Sequence, residues 1–167
     1  LMVEMQKAGY VYAGEDRGVF GLSRTGGSGA QRADSLALWP DCFCRFDPDT
    51  IERTGHDPDD VFFHGLAYRM MWYLFWNPVT DELGWNKRRE SEADAPTEWQ
   101  LGLLHVFNEL EALMRHRYVL PDEAGVLYRH GESRVLWAFR ETTLSLPPKT
   151  TVRDAVDNRI HAPADSL

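Results

Sequence analysis

The sequence predicts a single α+β domain in which two main helices pack on small antiparallel hairpins, one hairpin near each end of the chain. Three observations predict it. The run from residue 58 to residue 76 is apolar and opens on Asp57-Pro58, a helix-start signal. Trp99, Leu103, Val106, Leu110 and Leu113 recur at spacings of four, three, four and three, which is one stripe of an amphipathic helix. Val135, Trp137 and Phe139 alternate between Arg134 and Arg140, as in a half-buried strand.

In chain order, residues 1–8 have helical composition and stop at Gly9, a favoured residue just past a helix end. Residues 10–13 and 18–22 read as two strands joined by a turn over 14–17, forming the N-terminal hairpin. The glycine-rich stretch 25–30 has no lysine after its glycines, so it reads as a loop and not as a phosphate cradle. An extended segment is expected over 42–46. Asp47-Pro48 and Asp57-Pro58 each put a capping carboxylate before a proline suited to the first helical position. The second opens a helix predicted to run to Trp76, ahead of Asn77-Pro78.

That helix carries Val61, Phe62, Phe63, Leu66, Met70, Met71, Trp72, Leu74, Phe75 and Trp76 around most of its circumference, whereas a surface helix keeps a polar face. A loop with an exposed Trp85 is expected over 79–94. The second helix is predicted over 95–117, with Asp94 as cap, Pro96 in its first turn, and Arg115, His116 and Arg117 complementing the dipole at its end. Strands are predicted over 118–120, 126–129 and 134–144, with a turn at 130–133. A last short helix over 152–160, capped by Thr150 or Thr151, precedes a frayed tail over 161–167.

Composition bounds the classes. At 167 residues the chain has the size of one domain, so residues 1–167 are expected to form one unit, with loops at about 24–34 and 79–94. The net charge of −8 disfavours non-specific binding to phosphate backbones. Local basic clusters occur at Lys87-Arg88-Arg89 and at Arg115-His116-Arg117. With two cysteines only, Cys42 and Cys44, a disulfide scaffold is disfavoured and an intracellular reducing compartment is expected. The run 61–76 contains His64 and Arg69 and is shorter than the roughly 20 residues of a membrane helix, so no span is expected. The chain opens on Leu1 and not on methionine, so a removed targeting segment, pro-piece or tag, or a place within a longer chain, is expected, and the residues do not choose among these.

Two strings resemble known families. Val126 to Ser133, with Arg129-His130-Gly131-Glu132 after a strand, resembles the nucleophile motif of the histidine phosphatases, the phosphoglycerate mutase relatives. In that family the histidine is phosphorylated and a later Arg, Glu and second His complete the phosphate pocket, so the resemblance implies phosphoryl transfer at His130. It covers eight residues, and His161 is the only later histidine. The competing account is a hairpin turn permitted by Gly131, and it is favoured because the motif belongs after the first strand of an α/β domain. Residues 1–26, through Gln6-Lys7-Ala8-Gly9 and Leu22-Ser23-Arg24-Thr25-Gly26, resemble the last helix and wing of a winged-helix domain. This implies a nucleic-acid-associated regulator reading through Lys7, Arg17 and Arg24.

Cys42 and Cys44 with His56 and His64 invite a zinc reading, but the spacing lacks the paired ligands of structural zinc. The His105 and Glu109 pair reads as a partly buried hydrogen-bonded pair, and Asp57, Asp59 and Asp60 as helix-capping groups without the spaced ligands of a calcium loop. No metal and no cofactor is expected. The remaining feature is aromatic surface: Phe62, Tyr68, Trp72, Tyr73, Trp76 and Trp85 are the expected interaction residues, because Trp and Tyr anchor interfaces and a helix apolar all round suits a covering partner. The expected function is non-enzymatic protein–protein interaction, as an accessory or structural subunit of a larger assembly or an inhibitor-like binder.

Overall fold

A computed structural model describes residues 13–14, 43–44, 46–53, 55–72, 74–85 and 95–161. The fold is α+β. Three short strands, β1 (Ala13–Gly14), β2 (Phe43–Cys44) and β3 (Met71–Trp72), form a parallel sheet in that order. Between β2 and β3 run helices α1 (Pro48–Arg53) and α2 (Pro58–Ala67), the crossover that parallel neighbours need. Strands β4 (Phe75–Asn77) and β5 (Glu82–Gly84) form a hairpin. Helix α3 (Glu98–Leu110) tightens into a 3-10 turn over Glu111–Leu113. An antiparallel sheet of β6 (His116–Val119), β7 (Gly125–His130) and β8 (Ser133–Ala138) follows, then a small hairpin of β9 (Val152–Arg153) and β10 (Ile160–His161). Where the sequence predicts a turn at Gly14 into an N-terminal hairpin, the described residues Ala13–Gly14 pair in parallel with β2. The predicted helix over 1–8, the strand over 18–22 and the loop over 24–34 lie outside the described residues.

Both proline-led starts form helices. Asp57 Oδ1 accepts from the Asp59 amide at 2.9 Å with Pro58 in the first turn, satisfying one orphan donor of α2. The end of α2 departs from expectation: it stops at Ala67, and the residues predicted to continue it to Trp76 form β3 and β4. The terminator is Arg69, which takes the left-handed conformation at φ 65°. Its amide donates to Leu66 O and the Met70 amide donates to Gly65 O, both at 2.9 Å, the paired bonds of a Schellman ending. Glycine usually holds that position, since a side chain there costs about 1–2 kcal/mol. Arg69 offsets this by reaching away from its own helix. Its Nη1 donates to Met114 O at 2.6 Å and to Glu111 O at 3.2 Å, and its Nη2 meets Glu111 Oε1 at 3.1 Å. The residue that ends α2 thus also binds backbone carbonyls and a carboxylate just past the end of α3.

Helix α3 is also shorter than predicted. Its cap is Thr97 and not Asp94: Thr97 Oγ1 accepts from the Gln100 amide and Gln100 Oε1 accepts from the Thr97 amide, each at 3.1 Å, a reciprocal capping box. Its C-terminus comes before Arg115, so His116 and Arg117 belong to a strand and do not face a helix dipole. The predicted helix over 152–160 is a hairpin. Asp154 Oδ1 accepts from the Val156 and Asp157 amides at 2.9 and 3.1 Å, folding the chain back through an Asx turn in place of a first helical turn.

The core is an aromatic cluster under α2. The Phe46 ring lies 5.2 Å from Phe62, 5.3 Å from Trp72 and 5.0 Å from Trp85, edge-on or tilted in each case. Such pairs each add about 0.5–1.5 kcal/mol beyond burial. On its other side the core is closed by Val126, Tyr128, Val135 and Trp137 from β7 and β8, with Leu103 and Phe107 from α3.

Candidate functional site

Four of the six residues expected at an interface are in this core. Phe62 and Trp85 are wholly buried, and Tyr68 and Trp72 nearly so. Their rings are covered by the chain's own packing, and the indoles are bonded inside it: Trp72 Nε1 donates to Phe62 O at 3.1 Å, and Trp85 Nε1 to Gln100 Oε1 at 3.0 Å. Trp85 is therefore not the exposed loop residue that its polar sequence neighbours suggest. Those polar residues hide a strand, β5, which delivers Trp85 to the core. Tyr73 lies outside the described residues.

Trp76 is the member of the set that faces solvent, with 62% of its surface exposed. It sits on β4 directly opposite Leu83 of β5, itself 45% exposed. Val79, in the connecting turn, is 90% exposed. The turn is well held: Asn77 Oδ1 accepts from the Val79 amide at 2.9 Å, the Asp81 amide donates to Asn77 O at 2.8 Å, and Trp76 Nε1 donates to Asp81 Oδ1 at 3.1 Å. Asp81, at φ 56°, provides the left-handed step, which aspartate tolerates better than most residues. Three apolar side chains are thus presented on a turn held by local hydrogen bonds. Leu83 and Val79 were hidden from sequence reading inside an apparent polar loop. The signal that marks them is Asn77-Pro78 and Asp81 as turn residues between two short apolar runs.

The other candidates are placed as follows. His130 is exposed at the end of β7, register-paired with Ser133 across the turn Gly131-Glu132. Gly131 has φ 57°, the left-handed first position that a tight hairpin of this kind takes from glycine. The phosphatase-like letters therefore run into an antiparallel strand, with Arg134 Nη1 donating to Gly131 O at 2.8 Å. His105 Nε2 and Glu109 Oε1 are 3.2 Å apart but well exposed, so this pair is a surface contact and not a partly buried one. His64 lies over the Phe139 ring at 3.9 Å between centroids, with its Nδ1 2.8 Å from Asp60 O. Among the described residues no three His, Cys, Asp or Glu side chains gather as metal ligands would, and no helix is long and apolar enough to cross a membrane. Lys7, Arg17 and Arg24 of the winged-helix-like segment lie outside the described residues.

No protein-family model, no curated protein and no solved structure matches this chain.

Proposed function

We propose that the chain is a non-enzymatic interaction protein, an accessory or structural subunit or an inhibitor-like binder, that docks through the tip of the β4–β5 hairpin. The single observation supporting this is the exposed Trp76–Leu83 cross-strand pair, with Val79 beyond it, on a turn held by its own hydrogen bonds. Tryptophan is enriched among the residues that carry interface binding energy, and a pre-ordered turn lowers the ordering cost of binding. Among the described residues none of the three belongs to the core or packs against it, which favours a role outside the fold.

The test compares affinity capture by the wild-type chain and by a Trp76→Ser/Leu83→Ser variant, with circular dichroism of both. Capture of a defined partner by the wild type, lost in a variant of unchanged spectrum, is the expected result. If both chains capture the same proteins, or neither captures any, the hairpin reading is wrong.

A further inference from the structure

The outward face of the β6–β7–β8 sheet carries two rows of side chains. By register His116 lies opposite Arg129, and Arg129 opposite Arg134. Two residues further along, Tyr118 lies opposite Leu127 and Leu127 opposite Leu136. One row is therefore basic and the next is apolar, with Tyr118 and Leu136 exposed on either side of the buried Leu127. Like charges directly opposite one another on neighbouring strands destabilise a sheet. This chain has carboxylates in excess, 26 against 18 Lys and Arg, yet among the described residues none forms an ion pair with His116, Arg129 or Arg134. Arg134 uses one nitrogen on the carbonyls of Gly131 and Ser133, and Arg129 lies over the Tyr118 ring at 4.8 Å. Neither contact neutralises charge.

We propose that this face binds an acidic segment of another protein whose carboxylates alternate with apolar side chains. Carboxylates would bridge Arg129 and Arg134, relieving the like-charge pair. The apolar side chains would lie on Tyr118 and Leu136, about 7 Å away, which is two residues along a strand and the spacing of alternate side chains on an extended peptide. A nucleic acid fits less well. One face of Tyr118, the aromatic platform that a base would need, is covered by Arg129. The proposal stands apart from the hairpin reading, since β4–β5 is a separate sheet.

Fluorescence polarisation on the full chain tests it with three labelled probes: a short peptide of alternating glutamate and leucine, the same peptide with glutamine for glutamate, and a thymidine oligonucleotide. The glutamate peptide should bind on the order of tenfold more tightly than the glutamine peptide. Arg129→Gln/Arg134→Gln should abolish that difference, and Arg129→Lys/Arg134→Lys should keep most of it. The Gln variant should keep the circular dichroism spectrum of the wild type. Equal binding of the two peptides, failure of the glutamate peptide to bind, or tighter binding of the oligonucleotide each overturns the proposal, the last assigning the face to nucleic acid.

Discussion

The indole of Trp72 occupies the space that a side chain at Gly65 would need: a β-carbon on Gly65 would sit well inside contact with the Trp72 ring. Glycine is costly within a helix, by roughly 0.5–1 kcal/mol relative to alanine, and here that cost permits β3 to lie against α2. Gly65→Ala should therefore destabilise the fold by about 1–3 kcal/mol through overpacking. Gly102→Ala, on α3, is the matched control, because a β-carbon at Gly102 would meet nothing within 4 Å. It should stabilise by roughly 0.5–1 kcal/mol. Urea unfolding of both variants measures the two signs.

Arg69 combines a left-handed backbone with a buried guanidinium that serves the end of α3. Arg69→Ala keeps the backbone strain and removes the bond to Met114 O and the ion pair with the Glu111 carboxylate, so a loss of about 2–4 kcal/mol is expected. Arg69→Gly also removes the guanidinium but relaxes the backbone, and should recover about 1 kcal/mol of that loss. Equal stabilities for the two variants in urea unfolding would show that the left-handed step carries no strain.

Tyr128 donates its hydroxyl to Ala67 O at 2.8 Å inside the core. Burial pushes its phenol up to about 12, with the nearby Arg117 guanidinium opposing the shift. The unfolded phenol ionises near 10, so between about pH 10 and 12 the unfolded chain releases a proton that the folded chain keeps. Stability contributed by this group is therefore complete below about pH 10 and lost as pH rises through that window. Tyr128→Phe should cost about 0.5–1.5 kcal/mol at neutral pH and flatten the alkaline fall in melting temperature.

Gln100 links the starts of both long helices. It accepts from Trp85 and Thr97 and donates to Asp59 Oδ1 at 2.8 Å. Gln100→Glu keeps the acceptor but sets two carboxylates in contact at a buried position. The folded chain should then hold a proton there to higher pH than the unfolded chain, so the variant should approach wild-type stability near about pH 4 and lose about 1–3 kcal/mol by about pH 7. Thermal melts across that range would read the slope.

Trp137 and Trp72 differ in one respect: among the described residues the buried Trp137 Nε1 has no hydrogen-bond partner, whereas Trp72 Nε1 is bonded to Phe62 O. Replacing each with phenylalanine removes similar volume. Trp72→Phe should cost more by about 1 kcal/mol in denaturant unfolding, since it also removes a buried hydrogen bond.

Much of the local punctuation was legible. Asp57-Pro58 starts α2 where the sequence places it, Gly131 turns the late hairpin, and Val135 and Trp137 alternate inward. These signals act through groups one to three residues apart. The ends of the helices were not legible, because no glycine or proline marks residue 69, and the apolar run continued to Trp76 as if it were one helix. Apolar content alone does not separate a buried helix from short buried strands. The interaction set suffered for the same reason: placed on one continuous helix, its aromatics exceeded what a core seemed to need. With α2 stopped at Ala67, the chain folds back and Phe62, Trp72 and Trp85 close on Phe46.

By itself, then, the sequence determined the α+β class, the helix starts and the hairpin turn, since caps, glycine and side-chain alternation act on their immediate neighbours. The tertiary structure alone decided where α2 ends, through an arginine that finds its acceptor 45 residues further along the chain. It also decided that Trp72 and Trp85 belong to the core while Trp76 stands in the open. Burial is set by what packs against a side chain, and those neighbours come from distant parts of the chain.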